Sequence, residues 1–278
     1  MARTILVPLD GSALAAGVLE RAAPLWKDPA IELELLGVVP AGGAAAEVED
    51  SADRLQAALE KSAAGLGRPA RVNVIRGDAA EGILRRMGEL NPELVVLGTH
   101  GRSGVERWVR GSVAERVLRH ATAPLLLCNP RALAGGALGP KRILVPLDGS
   151  PLADEILPLV TSIARTFGAE VVLLRVEPLT MGELETAVPV LRWDPALVLG
   201  SLLPQEERLR AAGLTVHRRA SYGIEAAEIL RAAEDADLVA MSTHGRAGAS
   251  RWLLGSVAEQ VLRHCSRPLL VRRAVRPR

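Results

Sequence analysis

Four residues near the middle of the chain, Gly98, Gly101, Gly111 and Ser112, have types and spacings suited to holding an anion. They lie in GTHGRSGVERWVRGSVAERVLRH, Gly98 to His120, which follows the apolar run Leu94 to Leu97 and leads into a helical pattern. The first two glycines fit a backbone that turns sharply and comes close to a ligand. Gly111 and Ser112 fall where a helix begins and its first N–H groups have no partner within the helix. A strand, a glycine loop and a helix N-terminus together form a natural phosphate site. Asp10, at the end of the apolar run Ile5 to Leu9, can accept hydrogen bonds from a ribose or base, and Ser112 can donate to a phosphate. Each has a structural alternative: Asp10-Gly11-Ser12 as a turn plus helix cap, and the glycine loop as helix–strand packing without a ligand.

The elements that would position these residues occur twice. ILVPLDGS stands at Ile5 to Ser12 and again, unchanged, at Ile143 to Ser150. The glycine stretch recurs as STHGRAGASRWLLGSVAEQVLRH from Ser242 to His264, and aligning residues 98–127 with 242–271 gives 19 identities in 30 positions. The chain is therefore a tandem duplication with a domain-sized period, too long for a solenoid repeat. Its expected organisation is one domain over residues 1–130, a Gly/Ala-rich linker over 131–140 that ends in Pro140, and a second domain over 141–278.

In the first copy, strands are expected at Ile5 to Leu9, Ile31 to Val39, Val72 to Ile75, Leu94 to Leu97 and Pro124 to Cys128. Between them fall helices capped by Ser12, running from Glu47 to Leu66 and Ala79 to Leu90, and starting at Ser112. Glu115 and Arg119 are spaced to pair across one turn of the last of these. The second copy repeats the order with strands at Ile143 to Leu147, Val171 to Val176, Leu214 to Arg218, Leu238 to Met241 and Pro268 to Val271. Strands that alternate with helices and are apolar on consecutive residues indicate an α/β fold, with a parallel sheet covered on both faces. The copies differ between Glu177 and Glu206, where Pro178, Pro189, Pro195 and Pro204 interrupt a Leu/Val-rich stretch and predict a longer, partly helical excursion. In such sheets ligands bind beyond the carboxyl ends of the strands, where strand order reverses. If strands one and four flank that reversal, Asp10 and the Gly98 loop meet across one crevice.

Composition narrows the function classes. Of the 278 residues, 49% are hydrophobic but only 2% aromatic, which argues against a protein that binds nucleic acid by stacking bases. The balance of 34 basic and 32 acidic residues, a net charge of +2, gives little support for binding a polyanion. Cys128 and Cys265 belong to no CxxC pair and occupy non-equivalent places in the two copies, so buried reduced thiols are expected rather than a metal site or disulfide framework. With no signal-peptide pattern in MARTILVPLDGS and no membrane-length apolar run, a cytoplasmic protein without a membrane partner is expected.

Both halves resemble the universal stress protein family, whose motif G-x2-G-x9-G-[ST] after strand four is matched in full by Gly98, Gly101, Gly111 and Ser112. The resemblance covers nearly the whole chain apart from the linker and the Glu177 to Glu206 excursion. It implies two tandem open five-stranded parallel α/β/α sandwiches of the Rossmann-type, adenine-nucleotide-hydrolase-like fold, with strand order 3-2-1-4-5. It also implies pairing through strand five, here half against half as an intramolecular pseudo-dimer, or as a homodimer. Members with the motif bind ATP, often with a divalent ion, Mg2+ or Mn2+, at the phosphates. By that likeness Asp10 and Val38, with Pro8 and Leu9 beside them, meet the ribose and adenine. Gly98, Thr99, Gly101, Arg102, Gly111, Ser112 and Val113 surround the phosphates. Pro146, Leu147, Asp148, Val176, Gly245, Gly255, Ser256 and Val257 are the second-half counterparts, with Ser242 in place of the first glycine. Ser242 adds a Cβ where the backbone approaches the ligand but also offers a hydroxyl, so this site can be weaker or empty.

Other residues invite chemistry without supporting it. His100 and His244 sit in the loops with no companion ligands at metal-binding spacing. Arg102 and Arg246 can reach a phosphate or pair elsewhere, Trp108 and Trp252 suit packing of a loop, and Arg76-Gly77-Asp78 suits a strand-to-helix turn. Three functional readings are open: a nucleotide-dependent regulator or stress-response factor, a slow ATP hydrolase, and a structural dimerisation module without ligand. Against the second stands the absence of GxxxxGK[ST], and with it of a P-loop lysine.

Overall fold

The computed structural model describes residues 3–26, 28–99, 113–129, 132, 139–179, 193–244 and 255–274. The chain divides into two compact units, Met1–Leu138 and Gly139–Arg278.

In the first unit β1 (Arg3–Pro8), β2 (Ile31–Val39), β3 (Arg71–Arg76), β4 (Leu94–Gly98) and β5 (Leu125–Cys128) alternate with α1 (Ala13–Ala22), α2 (Ala45–Ala64), α3 (Ala79–Leu90) and α4 (Val113–His120). The strands lie in the order 3-2-1-4-5 and every neighbouring pair is parallel. β1, β4 and β5 are buried along nearly their whole length, as continuous apolar runs require when both sheet faces are covered. Successive strand residues point to opposite faces. Thus a Cβ on Gly37 would strike Leu55 and Leu59 of α2, whereas the side chain of Val38 faces Gly82 of α3. Helices α2 and α3 therefore cover opposite faces of β2.

Gly82 explains a glycine inside a helix: a Cβ there would come within 2.9 Å of Ile75 and 3.3 Å of Val38, so its absence lets α3 settle onto the sheet. Gly88 meets nothing within 4 Å and contributes no such contact. The tripeptide Arg76-Gly77-Asp78 is a turn. Gly77 takes a φ of 141° and Asp78 caps α3, its Oδ1 accepting from the Glu81 N–H at 3.0 Å. Arg116 of α4 donates to the same Asp78 at 2.8 Å, and this bond, helped by the backbone N–H of Glu81, holds the carboxyl below its ordinary pKa. Glu115 and Arg119 pair across a turn of α4. Glu34 is a charge the apolar pattern of β2 did not single out. It is only 2% exposed, and Arg86 of α3 embraces it through Nε at 2.6 Å and Nη2 at 2.8 Å.

The second unit repeats the plan. Strands β6 (Arg142–Pro146), β7 (Glu170–Pro178), β8 (Val216–Gly223), β9 (Leu238–His244) and β10 (Leu269–Ala274) are again parallel and again follow the order 3-2-1-4-5 within the unit. A 3-10 turn (Ala153–Ile156) leads into α5 (Leu157–Phe167). After it come α6 (Pro195–Gly200), α7 (Leu203–Ala211), α8 (Glu225–Ala233) and α9 (Ser256–His264). Of the Glu177 to Glu206 excursion, the described part contains α6 and the start of α7; residues 180–192 lie outside the described residues.

The third strand of this unit corrects the expectation of Leu214 to Arg218: it runs from Val216 to Gly223. Its sequence, VHRRASYG, is mostly half-buried, because an edge strand needs few apolar side chains, so hydrophobicity placed it too early. Polar pairs also hold this unit. Glu206, 5% exposed, meets Arg210 at 2.7 Å and Arg218 at 2.6 Å, while Ser221 donates to Glu228 at 2.5 Å.

The packing makes opposite predictions for two glycines. Gly37→Ala should lower stability by about 1–3 kcal/mol, since its Cβ would stand 2.7 Å from Leu55 Cδ2 and 3.0 Å from Leu55 Cγ. Gly88→Ala should raise it by about 0.5–1 kcal/mol, because only chain entropy and helix propensity change. Urea denaturation monitored by circular dichroism measures both; a stabilised Gly37→Ala variant would contradict the packing described.

Candidate functional site

The first-unit site is built where β1 and β4 lie side by side and the connections leave in opposite directions, to β2 on one side and β5 on the other. β1 ends in a tight turn. The Leu9 N–H still donates to Leu36 O at 2.9 Å, and then Asp10 Oδ1 accepts from the Ser12 N–H at 3.0 Å. Gly11 adopts φ 78°, a left-handed value that glycine takes without a Cβ penalty, and Ser12 Oγ caps α1 by accepting from the Ala15 N–H at 3.2 Å. The turn-and-cap role of Asp10-Gly11-Ser12 is therefore real, and it fixes the half-buried Asp10 at the mouth of the crevice.

Val38 contributes in another way. Its side chain is spent on α3, but its backbone direction is set by the register. Leu36 O points toward β1 to meet Leu9, and in an extended strand groups two residues on point the same way. Past Leu36 strand β1 has ended, so the N–H and C=O of Val38 face the space beyond it, next to Asp10. A donor and an acceptor on one backbone edge beside a carboxylate is a pattern that suits a heteroaromatic base and a ribose hydroxyl. On the other side of β1, Gly98 closes β4 opposite Cys128, and the Thr99 N–H donates to Cys128 O at 3.0 Å. Pro8 and Leu9 are buried in the floor, and Val113, at the start of α4, is 38% exposed. Thus Pro8, Leu9, Asp10, Val38, Gly98 and Thr99 gather at the carboxyl ends of three neighbouring strands. Gly101, Arg102, Gly111 and Ser112, with His100 and Trp108, lie outside the described residues.

The second unit reproduces the turn closely. Leu147 N–H donates to Leu174 O at 2.9 Å, Asp148 Oδ1 accepts from Ser150 N–H at 2.9 Å, Gly149 has φ 78°, and Ser150 Oγ accepts from Ala153 N–H at 3.2 Å. Pro146 and Leu147 end β6 as Pro8 and Leu9 end β1, and the Val176 backbone points past the end of β6 by the same register. Gly255 and Ser256 open α9 at an exposed position. A Cβ at Gly255 would meet nothing within 4 Å, and the first turn of α9, with Val257 half-buried, begins with N–H groups that have no partner within the helix. Gly245, Arg246 and Trp252 lie outside the described residues.

Three differences separate the crevices. Ser242, 7% exposed, turns its hydroxyl inward and donates to Ala153 O at 3.3 Å, tying β9 to the 3-10 turn after β6. Strand β9 then continues through Thr243 to His244, paired with β10, whereas β4 stops at Gly98. The third difference was missed by sequence reasoning. Arg175 stands on β7 where Gly37 stands on β2, and its guanidinium rests on Gly149. The signal was present, since Ile143 lies beyond Ile5 by the same 138 positions that separate Arg175 from Gly37.

The thiols play no part in this geometry. Cys128 is fully buried, and burial pushes its pKa up to about 12; burial also raises that of Cys265. Among the described residues no group of three or more His, Cys, Asp or Glu side chains is placed to hold a metal ion, and no helix is long and apolar enough to cross a membrane.

Comparison with known proteins agrees with this architecture. Residues 1–129 and 139–273 each match the sequence profile of the universal stress protein family. A universal stress protein of Mycolicibacterium smegmatis is 27% identical over 99% of this chain and 97% of its own length. Universal stress protein MJ0531 of Methanocaldococcus jannaschii is 33% identical over 47% of this chain and 81% of its own. Among solved structures, a universal stress protein from Archaeoglobus fulgidus shares the fold with a TM-score of 0.75 at 23% identity, covering 98% of this chain and 99% of that one.

The buried thiols supply a direct check. With the folded protein at neutral pH, a thiol-specific chromogenic reagent should react with neither Cys128 nor Cys265 within minutes, and with both once urea is added. Rapid reaction of Cys128 in the folded protein would contradict its placement in β5.

Proposed function

The chain belongs to the universal stress protein family, and we propose that within it the protein acts as an ATP-binding regulator, a stress-response factor whose conformation depends on bound nucleotide. The observation that carries this reading is the edge formed by the Val38 backbone and the Asp10 carboxylate on adjacent strands, beside the point where strand order reverses. On this reading the Val38 N–H and C=O meet the edge of the adenine ring, as one donor and one acceptor. Asp10, held by the Ser12 N–H, accepts from a ribose hydroxyl. Pro8 and Leu9 form the apolar floor under the base, where a planar ring gains by displacing water.

The phosphate chain would then run across the end of β1 toward Gly98 and Thr99 and the start of α4. Gly101, Arg102, Gly111, Ser112 and Val113 would supply N–H groups, a guanidinium and a hydroxyl, the hydrogen-bond chemistry a polyphosphate needs. A divalent ion, Mg2+ or Mn2+, would lower the charge repulsion among the phosphates and would take its oxygens chiefly from them. The protein's part is to bind and orient. Asp10 is already committed to its turn, and the reading assigns no residue to proton transfer. The same assignment extends to Asp148, Val176, Gly255, Ser256 and Val257 in the second half, with Gly245 in the loop between.

Titration of the full chain with ATP tests the reading. The unmodified protein should bind ATP at the first half. Gly111→Val should reduce that affinity at least about 100-fold by removing backbone contacts with the phosphates, each charge-assisted bond being worth roughly 1.5–3 kcal/mol. The circular dichroism spectrum should stay unchanged. An ATP affinity unaltered by Gly111→Val at a site mapped to the first half would overturn the assignment. Multiple-turnover release of phosphate would move the protein from binder to hydrolase.

A further inference from the structure

The two crevices differ in charge at one position, and the difference lies at the end where the base and ribose would sit. In the first half, strand β2 carries Gly37, and the space above it is filled by Leu55 and Leu59. At the same register in the second half stands Arg175. Its guanidinium reaches across to the Asp148-Gly149-Ser150 turn and lies on Gly149, so that a Cβ there would be 2.6 Å from Nη1, 3.3 Å from Cζ and 3.4 Å from Nη2. Gly149 is thus doubly required, by its left-handed φ of 78° and by the guanidinium pressed against it.

Nη1 of Arg175 is buried and has no hydrogen-bond acceptor among the described residues. A buried N–H of a charged group left without an acceptor is costly, and a guanidinium is built to donate to planar or tetrahedral oxyanions. An anionic oxygen arriving in this crevice would remove that cost. The position decides which part of a ligand must carry it. Arg175 is next to Val176 in sequence and touches the turn that holds Asp148. It therefore stands beside the turn that would hold the ribose, and a ligand group that meets it is one carried at the base and ribose end. A residue at the end of the second strand that accepts a ribose hydroxyl selects a plain ribose, and an arginine there accommodates a phosphate on it.

Building on the nucleotide reading of both crevices, we propose that the second half selects an adenine nucleotide carrying an additional phosphate on its ribose, and that Arg175 is the specificity-determining residue. Among the described residues the first half has Gly37 and two leucines at this point and no cation that corresponds to Arg175. The duplication has therefore produced two sites of different ligand class rather than a strong and a weak copy of one. The Ser242 hydroxyl is already engaged with Ala153 O.

The test uses the full chain carrying Gly111→Val, so that nucleotide binding in the first half is suppressed, and calorimetric titration with ADP, 2′,5′-ADP and 3′,5′-ADP. At least one ribose-phosphorylated probe should bind about ten- to a hundredfold more tightly than ADP, the span of one or two charge-assisted hydrogen bonds. Arg175→Gln should abolish that preference while leaving ADP affinity equal or better, and Arg175→Lys, which keeps the charge, should retain part of it. Equal affinities for ADP and both probes, a preference that survives Arg175→Gln, or no binding of any probe in this background would each overturn the proposal. Failure of the unmodified chain to bind ATP would instead strike the reading of the first half, so the two failures are distinguishable.

Discussion

Each half of this protein depends on one short hydrogen bond, from a serine N–H to the aspartate side chain two residues before it. In the first half it joins Ser12 to Asp10 at 3.0 Å, and in the second Ser150 to Asp148 at 2.9 Å. The bond closes the turn at the end of the first strand, with the intervening glycine at a left-handed φ, and the serine hydroxyl caps the helical turn after it. Because the strand stops there, the neighbouring strand runs on paired only with the third strand, and on the side of the first strand the backbone of Val38 or Val176 faces a gap. The crevice is the consequence of that early stop. A turn that is also a cap and also a wall of the crevice is consistent with ILVPLDGS standing unchanged in both halves of a chain that has diverged elsewhere.

The divergence tracks volume and charge. Gly37 lets α2 lie against β2, and replacing it with Arg175 is compatible only with a different cover, which the second half has in α6 and α7. Gly82 lets α3 settle against Ile75 and Val38. Counting from Gly77 and Gly223, both at positive φ, the same helical position is held by Glu228, which accepts from Ser221 on β8. Gly98 ends its strand, while Ser242 continues its own and bonds inward. At Gly37 and Gly82 a glycine that permits close apolar packing in the first half, and at Gly98 a glycine that ends its strand, gives way to a polar side chain with a defined partner or position in the second. The exchanges lie at or behind the carboxyl edge of the sheet, where ligand chemistry would respond to them.

Much of the fold was legible in the sequence because its strands are buried on both faces and read as apolar runs between glycines, prolines and capping residues. The exception, β8, is an edge strand whose HRRAS segment carries no hydrophobic signature, and its position is fixed by pairing with β7 rather than by its own composition. Buried charges were equally hidden. Glu34 reads as a solvent-facing residue until Arg86, 52 positions away, is folded onto it. At the candidate site, Asp10 and Gly98 could be linked from their motifs, but the direction in which the Val38 backbone faces required the register of β1 against β2. Arg175 escaped because no motif contains it. Its meaning comes from contact with Gly149, which only the folded strand pair creates.

Occupancy of the first crevice is read directly by mass spectrometry of small molecules released on denaturing the purified protein, with their amounts referred to protein concentration. An adenine nucleotide, ATP, should appear at about one molecule per chain from the first half, together with any ribose-phosphorylated nucleotide retained by the second. A protein that releases no nucleotide, and that takes up none when ATP is supplied, would contradict that expectation.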